Sequence, residues 1–178
     1  GSGWAVAVLD TGVDVTHPWF NVGGSKIVSE ACYSGANGVS LCPGSVPEST
    51  DQNSGDDCGA IGGCDHGTHV AGIAAEGNPF IRVLVARITF NHKMVPDLPT
   101  VEQTRKDAQA VRDTVEYFKA NGVRVVNMSW GGNLSSYERA LELNGVGESA
   151  EERLKLAREM FDIFDAALRE AIAGAPDI

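Results

Sequence analysis

Cysteine is missing from most of this 178-residue chain: the four that occur all lie between Cys32 and Cys64. Long apolar runs are missing too. No stretch approaches the roughly 18 consecutive apolar residues that a membrane-spanning helix needs, so no such helix is expected. A basic cluster is also lacking. Lys and Arg number 14 against 24 Asp and Glu, a formal net charge of -10. Nucleic acid and anionic membrane surfaces are therefore not expected partners, and the charge reads as a solubility feature. There is no internal repeat, no low-complexity segment, no initiator Met and no signal peptide at the visible start. The chain opens almost directly in an apolar strand, which reads as part of a longer, trimmed protein. What is present is ordinary for a folded chain. Hydrophobic residues make up 43% and charged residues 21%, which excludes intrinsic disorder, and the length suits one domain with a real core.

The cysteines suggest two local loops, Cys32 to Cys42 and Cys58 to Cys64, each closed by a disulfide. Four cysteines allow three pairings, and sequence alone does not choose among them. Such usage favours an oxidising, extracytoplasmic setting. A zinc site built from Cys58, Cys64, His66 and His69 is the competing reading, but it lacks paired C-x-x-C spacing. Asp51, Asp56 and Asp57 offer oxygen ligands for calcium. Without D-x-D-x-D-G spacing they read as a solvated acidic loop, and neither metal nor cofactor is expected.

Along the chain, residues 4 to 9 form a buried strand ending at Asp10-Thr11-Gly12, and His17-Pro18 breaks the segment that follows. Residues 21 to 64 are rich in Gly, Ser, Asn and Cys and show little periodicity. They read as a long loop in which disulfides compensate for missing core. Asp65 to Ala75 reads as a short helix of small residues with His66 in its first turn. Ile81 to Phe90 reads as a strand, and Pro96 and Pro99 break the chain after it. Val101, Ala108, Val111, Val115 and Phe118 mark an amphipathic helix that Asn121-Gly122 stops. Val123 to Trp130 reads as the next strand. A last helix starts at Ser149, with Glu152 completing a capping box, and Leu156, Met160, Phe164, Leu168 and Ile172 line one face of it. Gly174 and Pro176 close it. Strand and helix alternate three times, the pattern of a parallel α/β sheet with helices on both faces. The cysteine-bearing first part and the charged, helical second part differ sharply, which reads as a disulfide-stapled surface insert.

A carboxylate at a strand tip and a histidine opening a helix are the parts needed to orient and charge an imidazole base. The words around them resemble those of the subtilisin-like serine peptidases. Asp10 to Pro18 fits D-T-G-[VI]-D-x-x-H-P, His66 to Gly72 fits H-G-T-H-V-A-G, and Asn127 to Gly132 fits N-M-S-x-G-G. The resemblance implies that Asp10 and His66 are catalytic, that His69 packs without catalysing and that His17 is structural. It further implies that Ser129, Trp130 and Gly131 pair with a substrate strand beside the specificity pocket, a form of strand addition. Trp130 stands where Leu is more usual. An active site at the carboxyl ends of the strands is expected.

The same resemblance exposes an omission. The G-T-S-M-A word that carries the family's nucleophile and the A-A-G-N word that carries its oxyanion donor are both absent. Residues 1–178 thus read as an incomplete catalytic domain, ending before the Ser segment and needing the remainder of that domain as partner. The expected function is a secreted serine endopeptidase acting on polypeptides, with the isolated chain inactive. The alternative is a non-catalytic binding or scaffold domain of the same fold. An aspartic peptidase also uses Asp-Thr-Gly, but it needs two such words and an almost wholly β chain.

Overall fold

The structure, a computed structural model, describes residues 5–36, 39–40, 42–57, 59, 63–88 and 100–178. Cys58, Phe90, Pro96 and Pro99, named above, lie outside these, as does residue 4 of the expected first strand. Strand β1 (Ala5–Asp10) runs parallel to β5 (Arg82–Arg87) on one side and to β6 (Val125–Asn127) on the other, and β2 (Ile27–Cys32) adds beyond β5. The order β2-β5-β1-β6 places β1 inside the sheet. A small antiparallel ribbon, β3 (Gly35–Ala36) and β4 (Val39–Ser40), stands apart.

The central strands are continuous apolar runs because both of their faces are covered. Ala7, Leu9, Leu84 and Ala86 turn to one face and meet Phe118 of α3 (Val101–Ala120). Val8, Val83 and Val85 turn to the other, against Phe20 of the short helix α1 (Pro18–Asn21) and Ala71 and Ala75 of α2 (His66–Ala75). The α/β sheet with a helix on each face is therefore present. Thr100 caps α3, its hydroxyl accepting the Gln103 N–H at 3.0 Å. Helix α5 (Ala150–Ala173) lies against α3 and α4 (Leu134–Leu143) around Leu141, Ala157 and Met160. Ser149 caps α5 as expected, accepting from Glu152 N at 3.1 Å, while the Glu152 carboxylate reaches back to Glu148 N at 2.7 Å. Among the described residues no helix is long and apolar enough to cross a membrane.

Four expectations need correction. The segment read as loop contains β2, which builds one border of the sheet although Ser29 and Glu30 interrupt its apolar pattern. The strand expected over Val123 to Trp130 is only Val125–Asn127, because the chain leaves the sheet before Ser129. Helix α4 was not expected at all. The packed face of α5 stops short of Ile172, which is exposed.

Candidate active site

Asp10 is the last residue of β1 and His66 the first of α2, so two elements that pack together bring the side chains into contact. Asp10 Oδ1 lies 2.8 Å from His66 Nδ1. The carboxylate is sealed, with 2% of its side chain accessible, whereas 49% of the imidazole is accessible. Asp10 Oδ1 also accepts the Thr11 N–H at 2.7 Å. With Nδ1 donating to the carboxylate, the lone pair of the neutral ring sits on Nε2, which has no partner among the described residues.

Thr11 and two glycines set this spacing. The Thr11 hydroxyl donates to Cys64 O at 2.9 Å and accepts from Gly67 N at 3.0 Å, tying the loop after β1 to the start of α2. A Cβ on Gly67 would lie 2.1 Å from Gly12 O, and one on Gly12 would lie 2.6 Å from Asp56 O. Gly12 also has φ +94°, a left-handed conformation that side chains disfavour. Only hydrogen fits at either place. Thr68 Oγ1 accepts the Asp14 N–H at 2.8 Å and pins the first turn of α2.

Arg87, which sequence reasoning passed over, pairs in register with Asp10. It is buried, its Nη1 donates to Asp56 O at 3.0 Å, and burial lowers its pKa against the opposing pull of Asp57 and Asp56. A charged residue closing the apolar run Val83 to Ala86 and buried with it was the available signal. The Asp56 carboxyl has a raised pKa, through burial first.

Ser129, Trp130 and Gly131 follow β6 at the same end of the sheet as Asp10, the carboxyl end. Ser129 and Gly131 are exposed, and the Ser129 hydroxyl bonds to Asn127 Oδ1 at 2.7 Å. The Trp130 indole N–H donates to Leu9 O at 2.6 Å, and its ring meets Phe164 edge-on at 5.8 Å. Trp130 is therefore anchored to β1. Beside it opens a cavity of about 420 Å³ lined by Ile88, Trp130, Gly131, Tyr137, Phe161 and Phe164. The contribution of Tyr137 and Phe161 was not legible while α4 was unrecognised.

His17 caps α1, accepting from Trp19 N at 3.2 Å, and its ring packs on Trp19. His69 is exposed, so the expected packing of its ring is not found among the described residues. Cys32 and Cys42 form a disulfide. Cys64 is also disulfide-bonded, and Cys58, its expected partner, lies outside the described residues. A sulfur of Cys64 held in a disulfide and a His66 turned to Asp10 contradict the zinc alternative. Asp51, Asp56 and Asp57 do not converge: among the described residues no three such side chains gather as metal ligands.

A sequence model of the Subtilase family matches residues 1–157. No curated protein and no solved structure matches the chain.

Proposed function

The chain belongs to the subtilase family of serine peptidases, and on that premise we propose that it carries the acid–base half of an Asp-His-Ser triad in a secreted endopeptidase. The reading rests on one observation, the 2.8 Å contact between a sealed Asp10 carboxylate and a half-open His66 ring. In this reading His66 Nε2 takes the proton of a serine hydroxyl as that oxygen attacks the scissile carbonyl, then returns it to the leaving amine. Asp10 holds the ring in one tautomer and stabilises the imidazolium. The backbone of Ser129 to Gly131 lies alongside the substrate strand, and the cavity beside Trp130 receives an apolar side chain. The nucleophile and the oxyanion donor come from polypeptide beyond these 178 residues, the remainder of the catalytic domain, and no cofactor takes part.

The absent nucleophile word favours, for the chain alone, a binding or scaffold role. A serine-directed fluorophosphonate separates the two. It is expected to label the longer polypeptide that includes the missing segment and to leave the 178-residue chain unmodified. Labelling of any serine within this chain overturns the division of the triad, and an unreactive longer polypeptide establishes the scaffold reading.

A further inference from the structure

Strand β1 loses its β6 partner just before Asp10. The ladder between the two strands runs from Val6 opposite Val125 to Val8 opposite Asn127 and stops there. Backbone groups of a parallel strand alternate between its two neighbours. Asp10 O accepts the Ile88 N–H at 3.2 Å on the β5 side, so Leu9 O faces the side that β6 has left. Leu9 is wholly buried, and a buried carbonyl without a donor is costly. The donor it meets is a side chain. The Trp130 indole N–H reaches Leu9 O at 2.6 Å, and no aliphatic or phenyl group at that position could supply it.

The same indole has other neighbours. It packs on the core cluster that holds Ala7, Leu9 and Phe118, and its ring meets Phe164 of α5 edge-on at 5.8 Å. It also forms part of the wall of the cavity of about 420 Å³, beside Ile88, Gly131 and Phe161. Trp130 therefore belongs to two places at once. It lines the cavity next to the exposed Gly131, and it is bonded to the residue that directly precedes Asp10.

We propose that Trp130 is a positioning residue for the Asp10–His66 pair, a side chain that stands in for the missing strand partner and fixes the end of β1. This rests on the acid–base role given to the pair above. The Asp10 carboxylate has to keep His66 Nδ1 in line at 2.8 Å. Release of Leu9 O frees the peptide plane between Leu9 and Asp10 to turn, and the alignment of the imidazole loosens with it. Because the ring that holds β1 also lines the cavity, a substrate side chain seated there bears on the group that aligns Asp10. Binding and alignment are joined in one side chain.

Two substitutions separate the donor from the bulk of the indole. Trp130→Phe keeps an aromatic wall and deletes the N–H, whereas Trp130→His keeps a ring nitrogen and deletes most of the wall. In proton NMR of the 178-residue chain, the His66 Nδ1–H resonance should be sharp and far downfield in the wild type. It should persist in Trp130→His and be broadened or lost in Trp130→Phe. In a polypeptide that also supplies the nucleophile segment, Trp130→Phe should lower kcat by roughly tenfold, the scale of one hydrogen bond, with KM little changed. Trp130→His should instead raise KM for a peptide with an apolar side chain. The wild-type Trp130 indole N–H should also exchange with deuterium far more slowly than that of the half-exposed Trp19, a measurement that stands if Trp130→Phe does not fold. A His66 resonance unchanged in Trp130→Phe, its equal loss in both variants, or fast exchange of the Trp130 indole N–H overturns the proposal. An inert longer polypeptide with this resonance pattern intact supports the positioning and sinks the triad reading instead.

Discussion

Residues 5–88 and residues 100–178 are held together by different means. The first region adds to its buried apolar strands single polar atoms at fixed places. The Thr11 hydroxyl joins Cys64 to Gly67, Thr68 Oγ1 takes the Asp14 N–H, and Gly55 O takes that of Val13. Glycines lie where backbone meets backbone, and Gly72 lies where the Trp19 ring would be 2.3 Å from a Cβ. A disulfide closes the ten-residue step from Cys32 to Cys42, a cross-link that stabilises by about 2–3 kcal/mol through the unfolded chain. The second region relies on area. Leu141, Ala157 and Met160 fill the contact between α4 and α5, caps at Thr100, Asn133 and Ser149 start the helices, and exposed ion pairs such as Arg112–Glu170 at 2.7 Å decorate them. Area forgives small errors, whereas a network of single contacts does not. The proposed acid–base pair, Asp10 and His66, sits in the region that cannot shift.

The sharpest way to test that contrast is to change charge without volume at its centre. Asp10→Asn in a polypeptide that also supplies the nucleophile segment should leave the fold intact by circular dichroism and lower turnover of a peptide substrate by about 10⁴, since the amide supports the wrong tautomer. Near-normal turnover would show that the carboxylate does not orient His66. Next in size is Gly67→Ala, which sets a methyl 2.1 Å from Gly12 O. It should cost about 3 kcal/mol or more in denaturant unfolding. The matching change in the second region, Gly132→Ala, meets only the Tyr137 ring, at 3.9 Å, and should cost about 1 kcal/mol at most. Equal losses at the two glycines would erase the distinction between the regions. Smallest of all, Arg112→Ala removes a partly exposed ion pair and should shift stability by about 0.5 kcal/mol or less, and less still in high salt.

Legibility in the sequence divided along the same line, though in an unexpected way. The Asp10–His66 contact was readable although its members are 56 positions apart, because each sits in a local word that resembles the subtilase pattern, and that resemblance pairs the two words. The amphipathic spacing of α3 and the cap of α5 were readable for the usual periodic reasons. Strand β2 was not, since Glu30 inside it breaks the alternation and a run of Gly and Ser precedes it. Its place comes from pairing with β5, a long-range contact with no local mark. Helix α4 was missed because its apolar stripe is short, with one buried residue, Leu141, and Gly145 and Gly147 follow closely. The Trp130 indole bond to Leu9 O depends on an element 121 positions away, and no window along the chain carries that signal.

The order β2-β5-β1-β6 also has a consequence in time. No two adjacent strands of the sheet are consecutive in the chain: β1 pairs first with residues from Arg82 onward and then with Val125 to Asn127. A sheet of this kind must close large loops before any pairing repays them, so it forms slowly relative to local helices. On a ribosome, β1 emerges before β5 and β6 and waits for these partners still to be made. During that wait Ala7, Val8 and Leu9, later wholly buried, remain open to other chains. The strand that ends in Asp10 is thus made before both of its sheet neighbours and enclosed only after them, and a chaperone acting during synthesis would find its target there.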